Sequence, residues 1–194
     1  MFEVEKKFSL GVDQVERIVD VSEYKGEKKF TDTYFDDDNF SLTRRDIWLR
    51  ERSGKYELKL PINASGFGFN TYEEEENEDE ICKSLGLEQI GILSETLEKA
   101  GIKPFCTIKT ERRSFLKDSI RIDVDVTDFG YSLVEFEILA QSESQIKEAE
   151  ERILHLAKIF GLREGNVRGK VIEYLKRNSP SHYQALIESG TVVE

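Results

Sequence analysis

The chain has 194 residues, with 28 Lys and Arg against 39 Asp and Glu, and a formal charge of −11 at pH 7. That balance argues against sequence-independent nucleic-acid binding, which depends on phosphate neutralisation by Lys and Arg. Two Cys and two His leave no disulfide framework, no zinc site and little histidine chemistry, so any reaction must use carboxylates, Lys, Arg, Tyr or an oxygen-bound metal.

With glycine included the apolar share is roughly 45%, an ordinary value for a chain that buries a core. No linker-like or repeated segment divides the sequence, so a single domain over residues 1–194 is expected. No apolar run reaches membrane-span length, and Phe2-Glu3-Val4-Glu5 does not read as a signal core. The expectation is a cytosolic monomer with no membrane partner.

Period-two alternation opens the chain: Phe2, Val4 and Phe8 take one face of a strand, while Glu3, Glu5 and Lys7 take the other. Val12, Val15 and Ile18 or Val19 then suggest a short helix. Further strands are expected over 28–36, 45–52, 55–61, 68–75, 105–116, 120–127 and 132–140, eight in all. Asn77 with Glu80 reads as a capping box opening a second helix, and Ser94 as the cap of a third that Gly101 ends. A box of Ser142 and Gln145 opens a longer amphipathic helix ending at Gly161. Another helix is expected over about 168–177, and Ser179-Pro180 suggests the cap and first turn of a last one. The class is therefore α+β: an eight-stranded antiparallel barrel or open cleft, with helices packed outside and the C-terminal helices from about 143 onward lying on the barrel.

A two-residue Ser53-Gly54 turn sets the register of one hairpin, pairing Trp48 with Lys59, Leu49 with Leu58, Arg50 with Glu57 and Arg52 with Lys55. One face then carries Trp48, Arg50, Arg52 and Lys59. Downstream, Asp123 and Asp125 alternate with Ile and Val, as do Glu135 and Glu137. Four acids on one face of adjacent strands repel unless cations lie between them. Oxygen-only donors of this kind suit Mg²⁺, which takes one or two carboxylates together with waters and substrate phosphates. A three-residue turn after Leu116 would set Arg113 opposite Asp123, whereas a two-residue turn would send it to the other face. Periodicity alone does not decide which face is inside. If the charged faces turn inward, the mixed acids and bases suit a polyanion carried with its metal.

Glu3-Val4-Glu5-Lys6-Lys7 resembles the Glu-x-Glu-x-Lys signature of the CYTH superfamily, the triphosphate tunnel metalloenzymes. Asp32-Thr33-Tyr34-Phe35-Asp36, Trp48-Leu49-Arg50-Glu51-Arg52, Glu57-Leu58-Lys59, Glu111-Arg112-Arg113, Arg121-Ile122-Asp123-Val124-Asp125, Asp128-Phe129-Gly130-Tyr131, Glu135-Phe136-Glu137 and Lys170 follow in that family's order. Within the superfamily the sequence is most similar to the animal thiamine triphosphatases. The resemblance implies Mg²⁺-dependent hydrolysis of thiamine triphosphate to thiamine diphosphate and phosphate. Alternatives on the same fold are an inorganic tripolyphosphatase, a class IV adenylate cyclase, or a non-catalytic polyphosphate-binding domain. It also implies that Lys7, Arg50, Arg52, Lys59, Arg113 and Lys170 bind the triphosphate, and that Asp123, Glu135 and Glu137 hold a metal with Asp125 near it. Glu3 and Glu5 would support a second metal, and Trp48 would stack on the thiamine moiety. Glu74 is the substrate-side choice within Glu73-Glu74-Glu75-Glu76, which also reads as a solvated face. Tyr34, its phenol pKa lowered by a nearby cation, would help Lys7 activate the attacking water.

Overall fold

The computed structural model describes residues 2–62, 69–163, 165 and 167–193. Eight strands run in chain order: β1 (Phe2–Phe8), β2 (Glu23–Asp36), β3 (Trp48–Arg52), β4 (Lys55–Pro61), β5 (Asn70–Glu75), β6 (Lys103–Lys117), β7 (Ile120–Thr127) and β8 (Ser132–Ala140). The helices are α1 (Val12–Val21), α2 (Glu78–Leu85), α3 (Leu93–Lys99), α4 (Ile146–Ile159), α5 (Lys170–Asn178) and α6 (Pro180–Ser189). The sheet is a closed barrel in the order β1-β5-β4-β3-β2-β6-β7-β8, and antiparallel β1–β8 pairing completes the ring. Among the described residues no helix is long and apolar enough to cross a membrane.

All eight expected strands are present; β4, β7 and β8 have the expected bounds, and others have shifted ends. β2 begins at Glu23 rather than at 28, because its first residues are polar and mostly exposed and carry no alternation. β3 starts at Trp48 rather than at 45, since Thr43–Arg45 form a 3₁₀ turn. Position 68, expected to begin β5, lies outside the described residues.

Two helix starts also differ. Asn77 caps α2, accepting bonds from the backbone N–H groups of Asp79 and Glu80 at 2.9 and 3.1 Å. Ser94, however, lies inside α3, whose cap position is Ile92. The Ser142–Gln145 box does not form. A 3₁₀ turn over Glu143–Gln145 precedes α4, and the Gln145 Oε1 accepts from the backbone N–H of Gln141 instead.

The chain falls into two compact units, each assembled from several stretches of sequence. The first comprises residues 1–30, 62–73 and 109–170. Here Val4, Phe8, Ile122, Val124, Val134, Phe136 and Ile138 pack with Ile18 of α1 and with Ala149, Ile153, Leu156 and Ala157 of α4. Because side chains alternate along a strand, this helix-covered face fixes Glu3, Glu5, Lys7, Asp123, Asp125, Glu135 and Glu137 on the opposite one. The second unit comprises residues 31–61, 74–108 and 171–194. There Leu49 and Leu58 pack with Ile81 and Cys82 of α2 and Leu93 and Leu97 of α3, which leaves Trp48, Arg50, Arg52 and Lys59 on the other face. Cys82 and Cys106 are both buried, and neither forms a disulfide among the described residues.

Phe136 is fully buried in the first unit, with its ring centroid 5.2 Å from Phe8 and 5.9 Å from Phe160 in edge-to-face contacts. Truncation there leaves a cavity that the β-sheet and α4 cannot both collapse into. Phe136→Ala is expected to cost about 3–5 kcal/mol of unfolding free energy by urea denaturation. A loss below about 1 kcal/mol would show that the face is loosely packed.

Candidate functional site

In the first unit the β6–β7 connection decides which arginine joins the acids. Its turn has two residues, Asp118 and Ser119, both in the left-handed region with φ of 51° and 63°. Lys117 therefore pairs with Ile120, Arg112 with Asp125, and Arg113 with Val124. The expectation of Arg113 among the carboxylates is corrected by this register: Arg113 shares the face of Val124, and Arg112 takes the place among the acids.

Arg112 is the hub of that cluster. Its Nε and Nη2 donate to the two oxygens of Asp125, both at 2.6 Å. Nη1 donates to Asp123 Oδ2 at 2.5 Å, and Nη2 also reaches Glu135 Oε2 at 2.7 Å. Burial alone would lower the Arg112 pKa, but the bond to Asp125 and the charges of Glu135, Asp125 and Asp123 outweigh it and hold the guanidinium well above its ordinary value. Asp123 accepts further bonds from Ser114 Oγ at 2.6 Å and pairs with Arg121 at 2.9 Å.

Lys170 joins the same group. The Tyr131 hydroxyl donates to the Arg168 carbonyl at 2.7 Å, pinning the segment before α5 to the turn that follows β7. From the start of α5 the buried Lys170 ammonium pairs with Asp125 and lies 4.0 Å from Glu135. Lys7 pairs with Glu5 and donates to Asn70 Oδ1 at 3.2 Å. A Cβ on Gly169 would sit 3.4 Å from the Lys7 side chain, so the backbone beside Lys170 passes close to Lys7. Strand pairing sets Glu5 opposite Glu137 and Lys7 opposite Glu135, with Glu3 opposite Tyr72 on β5.

The second unit carries a more basic set. Arg52 binds Asp32 bidentately, with Nε and Nη2 donating at 2.6 and 2.8 Å. Arg50 pairs with Glu57 at 2.5 Å and lies 3.9 Å from Asp32. Its Nε is buried and has no hydrogen-bond partner among the described residues. Lys59 pairs with Glu74 at 2.7 Å, which sets Glu74 apart from the exposed Glu73 and Glu76. Trp48 is buried, directly opposite Lys59, and its indole N–H donates to Asp46 at 2.7 Å. Asp32, not singled out from sequence as a site residue, is fully buried and orients Arg52. Its signal was the β2 alternation that also carries Tyr34.

Tyr34 corrects a second expectation. It sits opposite Arg50, yet its hydroxyl pKa is pushed up rather than down. Burial is the larger cause and the charge of Asp32 adds to it; Arg50, Arg52 and Lys59 pull the other way without prevailing. A phenol so placed holds its proton more tightly than a solvated one.

The residue-level pattern has counterparts among known proteins. A CYTH domain model matches residues 1–169. The chain belongs to the CYTH family. Its CYTH relatives include human thiamine-triphosphatase, 32% identical, with 97% of this chain and 90% of that protein covered. A protein from Pyrococcus horikoshii has a similar fold, with a TM-score of 0.65, 19% identity, and coverage of 91% of this chain and 99% of the other. An adenylyl cyclase candidate from Hippeastrum, with a dominant triphosphatase activity, aligns at a TM-score of 0.58 with 14% identity, covering 91% and 94% of the two chains.

For a metal, the donor chemistry of the CYTH carboxylates fits: Glu3, Glu5, Glu135 and Glu137 offer only oxygen, and Glu5 stands directly across from Glu137. Among the described residues no three acids are gathered as an ion would need them. The observed bonds supply the reason, since Arg112, Arg121, Ser114 and Lys170 already engage Asp123 and Asp125.

Because burial raises the Tyr34 pKa above the unfolded value near 10, the folded state holds its proton more tightly, and stability falls as pH rises past that value. Ultraviolet titration should show fewer than the seven tyrosines ionising by about pH 11 in folded protein. Tyr34→Phe should leave that count unchanged. A count that drops by one in the variant would place Tyr34 among the readily ionised residues.

Proposed function

We propose that this protein is a Mg²⁺-dependent triphosphatase that converts thiamine triphosphate to thiamine diphosphate and phosphate. The observation that carries the reading is the buried Arg50 Nε, which has no hydrogen-bond partner among the described residues and is set among Arg52, Lys59 and Trp48. A fully satisfied structural arginine has no donor to spare, whereas a phosphate grip needs one. We read Lys7, Arg50, Arg52, Lys59, Arg112 and Lys170 as triphosphate ligands, a reading that membership of the CYTH family supports. Glu74 holds Lys59 in place, and Trp48 offers its face to the cationic thiazolium ring.

Glu3, Glu5, Glu135 and Glu137 would hold Mg²⁺, with Asp123 and Asp125 joining when their basic partners turn to the substrate. Bound Mg²⁺ supplies neutralisation of phosphate charge and polarisation of the phosphoryl group. Arg112 and Lys170 are the exchangeable partners: phosphate oxygens compete with Asp125 and Glu135 for them, and each carboxylate so released gains donor capacity. Lys7 is fixed beside Glu5 and Asn70 to receive developing charge, and the Tyr34 O–H acts as a hydrogen-bond donor rather than as a base. The retained acids favour turnover over simple polyphosphate binding, since oxygen donors for a divalent metal serve phosphoryl transfer and are not needed for anion capture. We further read the chain as one functional domain and a cytosolic monomer that needs neither nucleic acid nor membrane.

Phosphate release from thiamine triphosphate, tripolyphosphate and ATP, each with and without Mg²⁺, tests the proposal. Thiamine triphosphate with Mg²⁺ is expected to give the highest kcat/KM. Trp48→Ala should lower that value about thirtyfold, matching about 2 kcal/mol of cation–π contact, while tripolyphosphate turnover changes little. Equal losses on both substrates would withdraw thiamine but keep the triphosphatase. Phosphate release indifferent to Mg²⁺, or absent with all three, would reject the activity.

A further inference from the structure

The indole of Trp48, the only tryptophan in the chain, has a single polar atom, and that atom is bonded to Asp46. A stacking surface works only if its plane is held, and a hydrogen bond at Nε1 removes the rotation that packing along the ring edge leaves open. Asp46 is itself held. It adopts the left-handed conformation with φ of 60°, tolerated by Asp better than by most residues, and its backbone N–H donates to the Thr43 carbonyl at 3.0 Å.

The loop behind it is anchored on several sides. The buried Asp36 carboxylate accepts from the N–H groups of Leu42 and Thr43, both at 2.9 Å. Thr43 Oγ1 bonds His182 Nε2 of α6 at 2.7 Å, and the His182 ring lies flat against Phe40 with centroids 3.9 Å apart. Thr191 donates to the Arg44 carbonyl at 3.0 Å. None of these groups belongs to the proposed phosphate grip, and together they hold the turn into β3 from several sides.

We propose that Asp46 is a positioning residue that fixes the Trp48 indole for stacking and thereby sets selectivity between thiamine triphosphate and inorganic tripolyphosphate. The inference rests on the reading above, in which Trp48 meets the thiazolium ring. Donation to a carboxylate also moves electron density into the indole, which strengthens its attraction for a cationic ring. Asp46 therefore contributes orientation and charge, and the two can be separated by substitution.

Asp46→Ala, Asp46→Asn and Trp48→Ala are compared in kcat/KM for both substrates, in thermal midpoint, and, for the two Asp46 variants, in tryptophan emission and acrylamide quenching. Asp46→Ala should lower the thiamine triphosphate to tripolyphosphate ratio of kcat/KM roughly tenfold, leave tripolyphosphate turnover within about twofold, and raise quenching of the lone tryptophan. Asp46→Asn keeps an acceptor for the indole and should recover the emission and most of the ratio. Unchanged emission and ratio in Asp46→Ala would overturn the proposal. So would equal losses on both substrates with a fallen midpoint, which mark a structural loop residue. If Trp48→Ala itself leaves the ratio unchanged, the thiamine reading fails instead, and the emission of Asp46→Ala alone decides whether Asp46 holds the indole.

Discussion

A guanidinium among three carboxylates is the constraint on which the first unit depends. β7 and β8 place Asp123 and Asp125 beside Glu135 on the face that the helices leave uncovered, and both aspartates are almost completely buried. Such charges cannot be left unpaired, because removing one partner of a buried ion pair costs several kcal/mol. Arg112 binds all three acids and Lys170 adds a second cation. The apolar packing of α1 and α4 closes the outer face, but it is this pairing that makes the inner face tolerable.

In the proposed reaction the same pairing prepares the chemistry. Cations that balance carboxylates are already desolvated and oriented, so a phosphate can take them over without the cost of ordering long side chains from solvent. Asp32 has the corresponding role for Arg52 in the second unit, where the buried Arg50 Nε has no hydrogen-bond partner among the described residues. Acids thus hold the bases ready, and the bases balance the buried charge of the acids.

Much of this was legible in the residues. Strict alternation from Ile120 to Thr127 and around Val134, Phe136 and Ile138 identifies the faces, and the short Ser53-Gly54 turn yields the observed register of β3 against β4. Arg112 was not legible. Two adjacent arginines occupy opposite faces of β6, and only the length of the next turn selects between them. That turn is built from Asp118 and Ser119 in left-handed conformations, with no glycine to announce it. Tyr34 failed for another reason: its cationic neighbours can be read from spacing, but the burial that outweighs them depends on tertiary packing. The Ser142 box lost to a 3₁₀ turn in which the Gln145 side chain accepts from the backbone N–H of Gln141, a choice between local bonds of similar strength.

If basic side chains occupy the carboxylates until phosphate draws them away, divalent metal and triphosphate must bind as a coupled pair. Calorimetric titration of the protein with Mg²⁺, alone and with saturating non-hydrolysable triphosphate analogue, measures that coupling directly. The account predicts weak Mg²⁺ binding to the protein alone and a gain of at least tenfold, about 1.4 kcal/mol, when the analogue is present. Equal Mg²⁺ affinity in the two titrations, after correction for metal bound by free analogue, would contradict it.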